Sequence, residues 1–280
     1  MKKILITGAN SYIGTSFEKY INENYPEEYV VDTVDMIDGS WREKSFSEYD
    51  SVFHVAGIAH QKETAENTPL YYQVNRDLAI ETAMKSKADG VSQFIFLSSM
   101  SVYGMDTGVI TRETLPNPKS HYGKSKWEAE QVIATFSESN FNVCVVRPPM
   151  VYGKGCKGNF NKIKKLVEKL PIFPRVKNQR SMIHIDNLSS FIKMCIDKNL
   201  GGLFYPQNNG YVSTVDLAKG IGETIGKKVR LEYITGIGVA ILRMFHPTCK
   251  KAFGTLIYDI SNDLDDYCVI SNLDSIKKSV

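Results

Sequence analysis

The chain has 280 residues, 42% of them hydrophobic and 23% charged, which is enough apolar material for a sizeable core in one large domain or two. A net charge of +3 with no dense basic stripe argues against nucleic acid as a partner, and the Lys162-Ile163-Lys164-Lys165 cluster reads as the solvated face of a helix. Five scattered cysteines (Cys144, Cys156, Cys195, Cys249 and Cys268) lack metal-ligand spacing, so no metal centre is expected, and they fit a reducing compartment with Cys144 and Cys195 in the core.

The first element is a short aliphatic strand, Lys3 to Thr7, followed by Gly8-Ala9-Asn10-Ser11-Tyr12-Ile13-Gly14 and a helix from Ile13 to about Tyr20. A strand, glycine turn and helix in that order aim a helix N-terminus at a pyrophosphate, whose charge the backbone N–H groups and helix dipole favour. Ser11 stands where a third glycine is usual; it is small, and its hydroxyl could bond a phosphate oxygen. This loop begins too early for a signal peptide to precede it, and the most apolar late stretch, Ile237 to Leu242, is too short to span a bilayer. A cytoplasmic location without a membrane span is the expectation.

Val30 to Asp35 reads as the second strand and Ser51 to Val55 as the third. A long helix is predicted from about Leu70 to Lys87, where apolar positions recur every three or four residues, and a fourth strand from Gln93 to Leu97 leads into Ser98-Ser99. The helix bearing Tyr122 runs to about Ser137, and Asn142 to Val146 forms the fifth strand. After Arg147-Pro148-Pro149 prolines, aromatics and basic residues increase, and Ser213-Thr214-Val215-Asp216 looks like a capped helix start. The alternation predicts an α/β fold: a Rossmann-type doubly wound parallel sheet with helices on both faces, and a smaller α+β substrate domain. The expected division is a nucleotide-binding domain over 1–150 and a mainly substrate-binding domain over 151–280, with part of 180–210 returning to the sheet.

Tyr122 and Lys126, four residues apart, share a helix face. A phenol with an ordinary pKa near 10 exchanges a proton at pH 7 only if its anion is stabilised, and Lys126 can supply a cation while Ser99, at the carboxyl end of a central strand, supplies a hydroxyl.

With these motifs in order, the sequence resembles the extended short-chain dehydrogenase/reductase family, in its branch of nucleotide-sugar epimerases, dehydratases and 4-ketoreductases. Matching segments include His54-Val55-Ala56-Gly57, Val74-Asn75, Ser98-Ser99-Met100-Ser101-Val102-Tyr103-Gly104, Arg147-Pro148-Pro149-Met150-Val151-Tyr152-Gly153 and Arg180-Ser181-Met182-Ile183-His184-Ile185-Asp186. The resemblance implies NAD or NADP as cofactor, held by Gly8, Asn10, Ser11, Tyr12, Ile13, Gly14, Asp35, Ala56, Gly57, Asn75, Ser98, Lys126 and Pro148. Asp35 favours NAD by repelling a 2′-phosphate, although Arg42 could meet one. Ser99, Tyr122 and Lys126 take the catalytic positions, with Ser98 and Ser101 as rivals to Ser99. A UDP-sugar would meet Ser99, Met100, Ser101, Tyr122, Met150, Asn159 and Arg180; Met150 replaces the family's usual asparagine, and the alternative for Arg180 is a surface ion pair with Asp186. His54 and His184 read as packed histidines, and Phe173, Tyr205 and Tyr211 as sugar-pocket or core aromatics. A homodimer is expected from the resemblance alone.

Within the family, Gly158-Asn159-Phe160, Leu170-Pro171-Ile172-Phe173-Pro174 and Asn178-Gln179-Arg180-Ser181 resemble a narrower group of capsule and O-antigen enzymes that reduce UDP-4-keto-6-deoxy-N-acetylhexosamines. A UDP-hexose 4-epimerase with tightly held NAD shares the same residues and is the alternative; a non-catalytic dinucleotide-sensing or interaction protein is the second. A dehydratase fits less well, because Met100-Ser101 stand where an Asp-Glu pair is common.

Overall fold

The computed structural model describes residues 1–59, 61–233, 238, 250, 251, 253–260, 264 and 266–280. Cys249 and, apart from Gly238, the apolar stretch from Ile237 to Leu242 lie outside them. The chain folds into two units, each assembled from separate stretches of sequence: one from Met1–Gly104, Leu115–Pro148 and Leu188–Pro206, the other from Met105–Thr114, Pro149–Asn187 and Gln207–Val280.

The first unit is built on six parallel strands: β1 (Lys2–Thr7), β2 (Tyr29–Val34), β3 (Ser51–His54), β4 (Gln93–Leu97), β5 (Asn142–Val146) and β6 (Gly202–Phe204). Their spatial order is β2-β1-β3-β4-β5-β6. The four central strands β1, β3, β4 and β5 are near-continuous apolar runs buried on both faces, while the edge strands β2 and β6 are largely exposed. On one face Leu5, Val52, Phe94, Phe96, Val143 and Val145 pack with Ala79 and Ala83 of α3 (Leu78–Ala88) and with Ala129 and Ile133 of α4 (His121–Ile133). On the other, Phe17 of α1 (Tyr12–Asn24) meets Phe53 edge to face, with centroids 5.3 Å apart. Each such ring, removed from water, contributes about 1.5–3 kcal/mol.

Strand order places the functional edge. The chain leaves β2 and crosses β1 to reach β3, so the loops after β1 and β3 diverge around a crevice at the carboxyl edge of the sheet, where α/β sheets bind ligands. Thr7 and His54, the last residues of these strands, are in register, and Thr7 Oγ1 lies 2.8 Å from His54 Nδ1.

The helix predicted over Leu70 to Lys87 is interrupted. Thr68–Tyr72 is α-helical, Gln73–Asp77 forms a π-helical turn, and α3 follows. The wider turn accommodates an extra residue and turns Asn75 inward. There its side chain accepts from Ile58 N at 2.9 Å and donates to Ile58 O at 3.1 Å. Periodicity alone does not register such an insertion, because the apolar spacing on either side is preserved.

In the second unit the strands pair in parallel twos: Gly108–Ile110 with Leu256–Tyr258, Met150–Tyr152 with Met182–His184, and Ile172–Pro174 with Arg230–Glu232. Its helices are Asn159–Lys169, Thr214–Thr224 and Asn272–Ser279 among the described residues. The helix start read at Ser213 is a capping box, with Ser213 Oγ accepting from Asp216 N and the Asp216 carboxylate accepting from Ser213 N. Tyr152, Phe160 and Phe173 are core residues, and the Tyr152 hydroxyl is tied to Ser275 and Asn208.

Candidate functional site

At the end of β1, Gly8 has φ +104°, and a Cβ there would fall 2.8 Å from both N and Cα of Ala56. Only glycine lets the two diverging loops approach so closely. Ser11 caps α1: its hydroxyl oxygen accepts from Gly14 N at 3.1 Å, so the residue in the third-glycine position works first as a helix cap. Gly14 is buried against Ser11, Ile6 and Val55; Tyr12 and Ile13 form the first turn of α1, and Asn10 takes a left-handed φ of 65°. The result is a helix N-terminus at the crevice with the side chains cleared from its approach. These residues fit a dinucleotide pyrophosphate.

Asp35 is exposed just beyond β2, where one carboxylate oxygen accepts from Ile37 N. Arg42 is engaged elsewhere: it is held by Glu81, with Nη2 2.6 Å from Oε2, and lies 4.6 Å from the Trp41 ring centroid. Of the two groups, the Asp35 carboxylate is the one without an ion-pair partner among the described residues, while the Arg42 guanidinium is held by Glu81.

After β3, a Cβ on Gly57 would lie 2.9 Å from Asn75 Oδ1 and 3.4 Å from Lys126 Nζ, so the absence of a side chain at Gly57 lets those two groups converge. Lys126 is buried; its ammonium donates to Leu97 O at 2.9 Å and sits 4.7 Å from the Phe96 ring centroid. Burial pulls its pKa down to about 8, against the opposing pull of Glu130.

After β4 the three serines take different work. Ser98 is buried and donates to Glu130. Ser99 donates to Ser101 Oγ at 3.1 Å, accepts from Ser101 N at 3.1 Å, and is the hydroxyl that acts on the Tyr122 phenol. Met100 N is fixed by Pro148 O at 3.0 Å, which ties this segment to the end of β5. Burial pushes the Tyr122 pKa up; the Ser99 hydroxyl pulls it down, and Tyr71 adds to the rise. The group lowering it is Ser99, while Lys126 turns to Leu97 O.

Sequence reasoning passed over what lies beneath these groups. Arg147 Nε is 3.1 Å from each Glu130 oxygen, Nη2 is 2.5 Å from Oε2, and Nη1 donates to the Tyr103 hydroxyl at 2.7 Å. Both members of this ion pair have side chains only 4% exposed. Glu130 is four residues beyond Lys126 on α4, a spacing that could have revealed it; Arg147 was read only as part of a motif.

The first turn of α4 is held at the amides of His121, Tyr122 and Gly123. Glu63 accepts from His121 N at 3.1 Å and from Tyr122 N at 3.0 Å, Ser120 Oγ accepts from Gly123 N at 3.1 Å, and Ser120 O accepts from Lys124 N at 2.9 Å. No spacing rule links Glu63 to a helix that begins 58 residues later.

The remaining candidates belong to the second unit. Met150 opens a strand, Asn159 opens the helix Asn159–Lys169, and Arg180 is buried with Nη1 donating to Gly254 O at 3.0 Å. The anticipated alternative, an Arg180–Asp186 surface pair, does not form: Asp186 binds Lys278 at 2.6 Å. Burial lowers the Arg180 pKa and Asp106 counters it, so the guanidinium is a desolvated cation suited to an anion. His54 and His184 are core histidines held neutral by burial, with pKa values lowered to about 3 and about 4. Phe173 is core, Tyr205 is buried with its ring 6.0 Å from the Arg147 guanidinium, and Tyr211 is 37% exposed. No cluster of three or more His, Cys, Asp or Glu side chains able to hold a metal occurs among the described residues, and no described helix is long and apolar enough to cross a membrane.

A Rossmann-type sheet with a glycine-cleared helix start and a Ser-Tyr-Lys cluster at one edge defines a nicotinamide-dependent oxidoreductase architecture. Residues 4–203 match the NAD dependent epimerase/dehydratase family, and the chain belongs to it. Its relatives include a UDP-glucose 4-epimerase of Vibrio cholerae, 32% identical over 81% of this chain and 76% of that one. Another is the N-acetyl-alpha-D-glucosaminyl-diphospho-ditrans,octacis-undecaprenol 4-epimerase of Escherichia coli O157:H7, 27% identical over 76% and 68%. The fold is that of the UDP-glucuronic acid 4-epimerase of Bacillus cereus in complex with NAD (TM-score 0.75, 19% identity, 99% and 97% covered). It is equally that of a dTDP-4-dehydrorhamnose reductase of Clostridium acetobutylicum (TM-score 0.72, 21% identity, 99% and 98% covered). The protein is thus an enzyme of an NAD(P)-dependent family.

Proposed function

We propose that the protein catalyses oxidoreduction at C4 of a UDP-sugar, and that its reaction is the reduction of a UDP-4-keto-6-deoxy-N-acetylhexosamine for surface polysaccharide synthesis. The observation that carries C4 oxidoreduction is the seating of Tyr122 and Lys126 on α4 against the Ser99–Tyr103 segment at the carboxyl end of β4; the reductive direction rests on the resemblance of Gly158-Asn159-Phe160, Leu170-Pro171-Ile172-Phe173-Pro174 and Asn178-Gln179-Arg180-Ser181 to the ketoreductase group. The first unit would hold the cofactor, with Gly8, Ser11 and Gly14 at the pyrophosphate and Asp35 at the adenosine ribose. When bound, the nicotinamide supplies hydride exchange with the sugar C4. Ser99 donates a hydrogen bond to the C4 oxygen, Tyr122 delivers the proton to it, and Lys126 orients the nicotinamide ribose. Arg180 in the second unit meets the diphosphate, with Asn159 as a further contact.

The second reading is a 4-epimerase, favoured by the 4-epimerase relatives at 32% and 27% identity. The two differ in whether the cofactor is exchanged or recycled in place. Denaturing freshly purified protein and quantifying the nucleotide released separates them. A site without nicotinamide, together with oxidation of added NAD(P)H by the UDP-4-keto sugar, is the expected result. Near-stoichiometric NAD and interconversion of UDP-hexoses would establish the epimerase instead. Inertness toward both substrates would leave the dinucleotide-sensing alternative.

Lys126 gives a pH signature with two opposite signs. kcat/KM is expected to fall as pH rises through about 8, where the free enzyme's ammonium loses its proton. Stability moves the other way: between about 8 and the ordinary 10.5 the unfolded chain binds more protons at this lysine, so its contribution to stability grows with pH. Parallel pH–rate and pH–melting curves check this, and Lys126→Met should remove the limb near 8 from both.

A further inference from the structure

We infer that Glu63 is a positioning residue for Tyr122, clamping the first turn of α4 to the loop that follows β3. The inference rests on Tyr122 being the proton-transfer group. A helix start exposes four N–H groups without intrahelical acceptors, and a local Ser cap ordinarily satisfies one of them. At α4 the cap, Ser120, takes Gly123 N through its hydroxyl, while its carbonyl accepts the first intrahelical bond, from Lys124 N. Two of the orphan amides, those of His121 and of Tyr122 itself, are both taken by one carboxylate from a remote loop. Such bonds are charge-assisted and lie along the helix dipole, so they are among the stronger caps available.

The clamp has an anvil. A Cβ on Gly123 would fall 2.6 Å from Ser101 O, so the same turn is pressed against the Ser99–Tyr103 segment on one side while Glu63 holds it on the other. Glu63 lies five residues beyond Ile58, whose N–H and C=O are both held by Asn75. The carboxylate therefore joins the nicotinamide-side loop to the backbone of the residue that must meet Ser99. A displacement of about 1 Å at a reacting group can cost on the order of a hundredfold in rate, which is the leverage Glu63 exerts without touching substrate.

The test compares full-length Glu63→Ala and Glu63→Gln with Ser120→Ala, which removes a cap from the same turn and leaves the bond to Tyr122 N in place. Amide exchange in peptides spanning 119–126, NAD titration, and kcat and KM for the UDP-sugar are measured on each. Glu63→Ala is expected to exchange faster at 121–122 and to lose about 10–100-fold in kcat with KM and NAD affinity little changed. Glu63→Gln, with one acceptor oxygen, should recover part of that loss, and Ser120→Ala should stay near the parent rate. Parent-like turnover in Glu63→Ala, or an equal loss in Ser120→Ala, overturns the inference. If the parent protein turns over no nucleotide sugar, the proposed function fails, and the exchange data alone decide the clamp: unchanged exchange at 121–122 sinks it.

Discussion

Tyr122→Phe is expected to lower turnover by about 10²–10⁴-fold while cofactor affinity stays within a small factor of the parent. The substitution removes only the phenolic oxygen, so the ring continues to fill its place beside Ser99 and the first turn of α4 keeps its caps. In the proposed function the dinucleotide is held by the loops after β1 and β3 and by Lys126, whose ammonium donates to Leu97 O rather than to that oxygen. What is lost, in the proposed reaction, is the proton that must reach or leave the C4 oxygen, together with the phenol's interaction with the Ser99 hydroxyl. Single-turnover kinetics with saturating cofactor provide the check. A variant that keeps the parent rate would remove Tyr122 from the chemistry and shift attention to Ser99.

Glu130→Ala should be the most damaging substitution for stability, at about 3–5 kcal/mol, because it leaves Arg147 buried and uncompensated. Arg147 has a side chain 4% exposed, and three hydrogen bonds tie its guanidinium to Glu130, with another to the Tyr103 hydroxyl. Ser98 loses its acceptor at the same time, and with it one tie between β4 and α4. Equilibrium denaturation would measure this. Replacing both partners with well-packed apolar residues should cost much less than removing Glu130 alone, since a buried pair contributes little beyond neutralising its own desolvation. The comparison also separates stability from catalysis: the double variant should fold, yet lose the pull that Glu130 exerts on the Lys126 ammonium.

Much of this was legible in the sequence because local rules govern it. The strand-turn-helix at Gly8 to Gly14 and the cap at Ser213 depend on neighbours within a few residues, and hydrophobic alternation is enough to find the five central strands read from the sequence. The π-helical turn at Gln73–Asp77 escaped because an inserted residue leaves the apolar repeat intact while changing which side chain points inward. Arg42 looked available to a phosphate until Glu81, 39 residues away, was seen to hold it. Glu63 and the Glu130–Arg147 pair were hidden for the same reason: hydrogen bonds between distant segments carry no periodicity. The Ser-Tyr-Lys group could be picked out by type and order, but the agents that orient it are fixed only by the fold.

The strand Gly202–Phe204 has a consequence for how the protein is made. It covers all but the start of β5, forms the short terminal strand of the six-stranded sheet and supplies the carbonyl of Phe204 that receives Arg147 N, yet it is encoded after a long passage through the other unit. During synthesis the cofactor-side sheet therefore stays one strand short until residue 204 has cleared the ribosome, with β5 as a temporary open edge. A gene truncated after Pro148 would make that open edge permanent, and its product would be a candidate for strand-to-strand aggregation rather than a usable fragment.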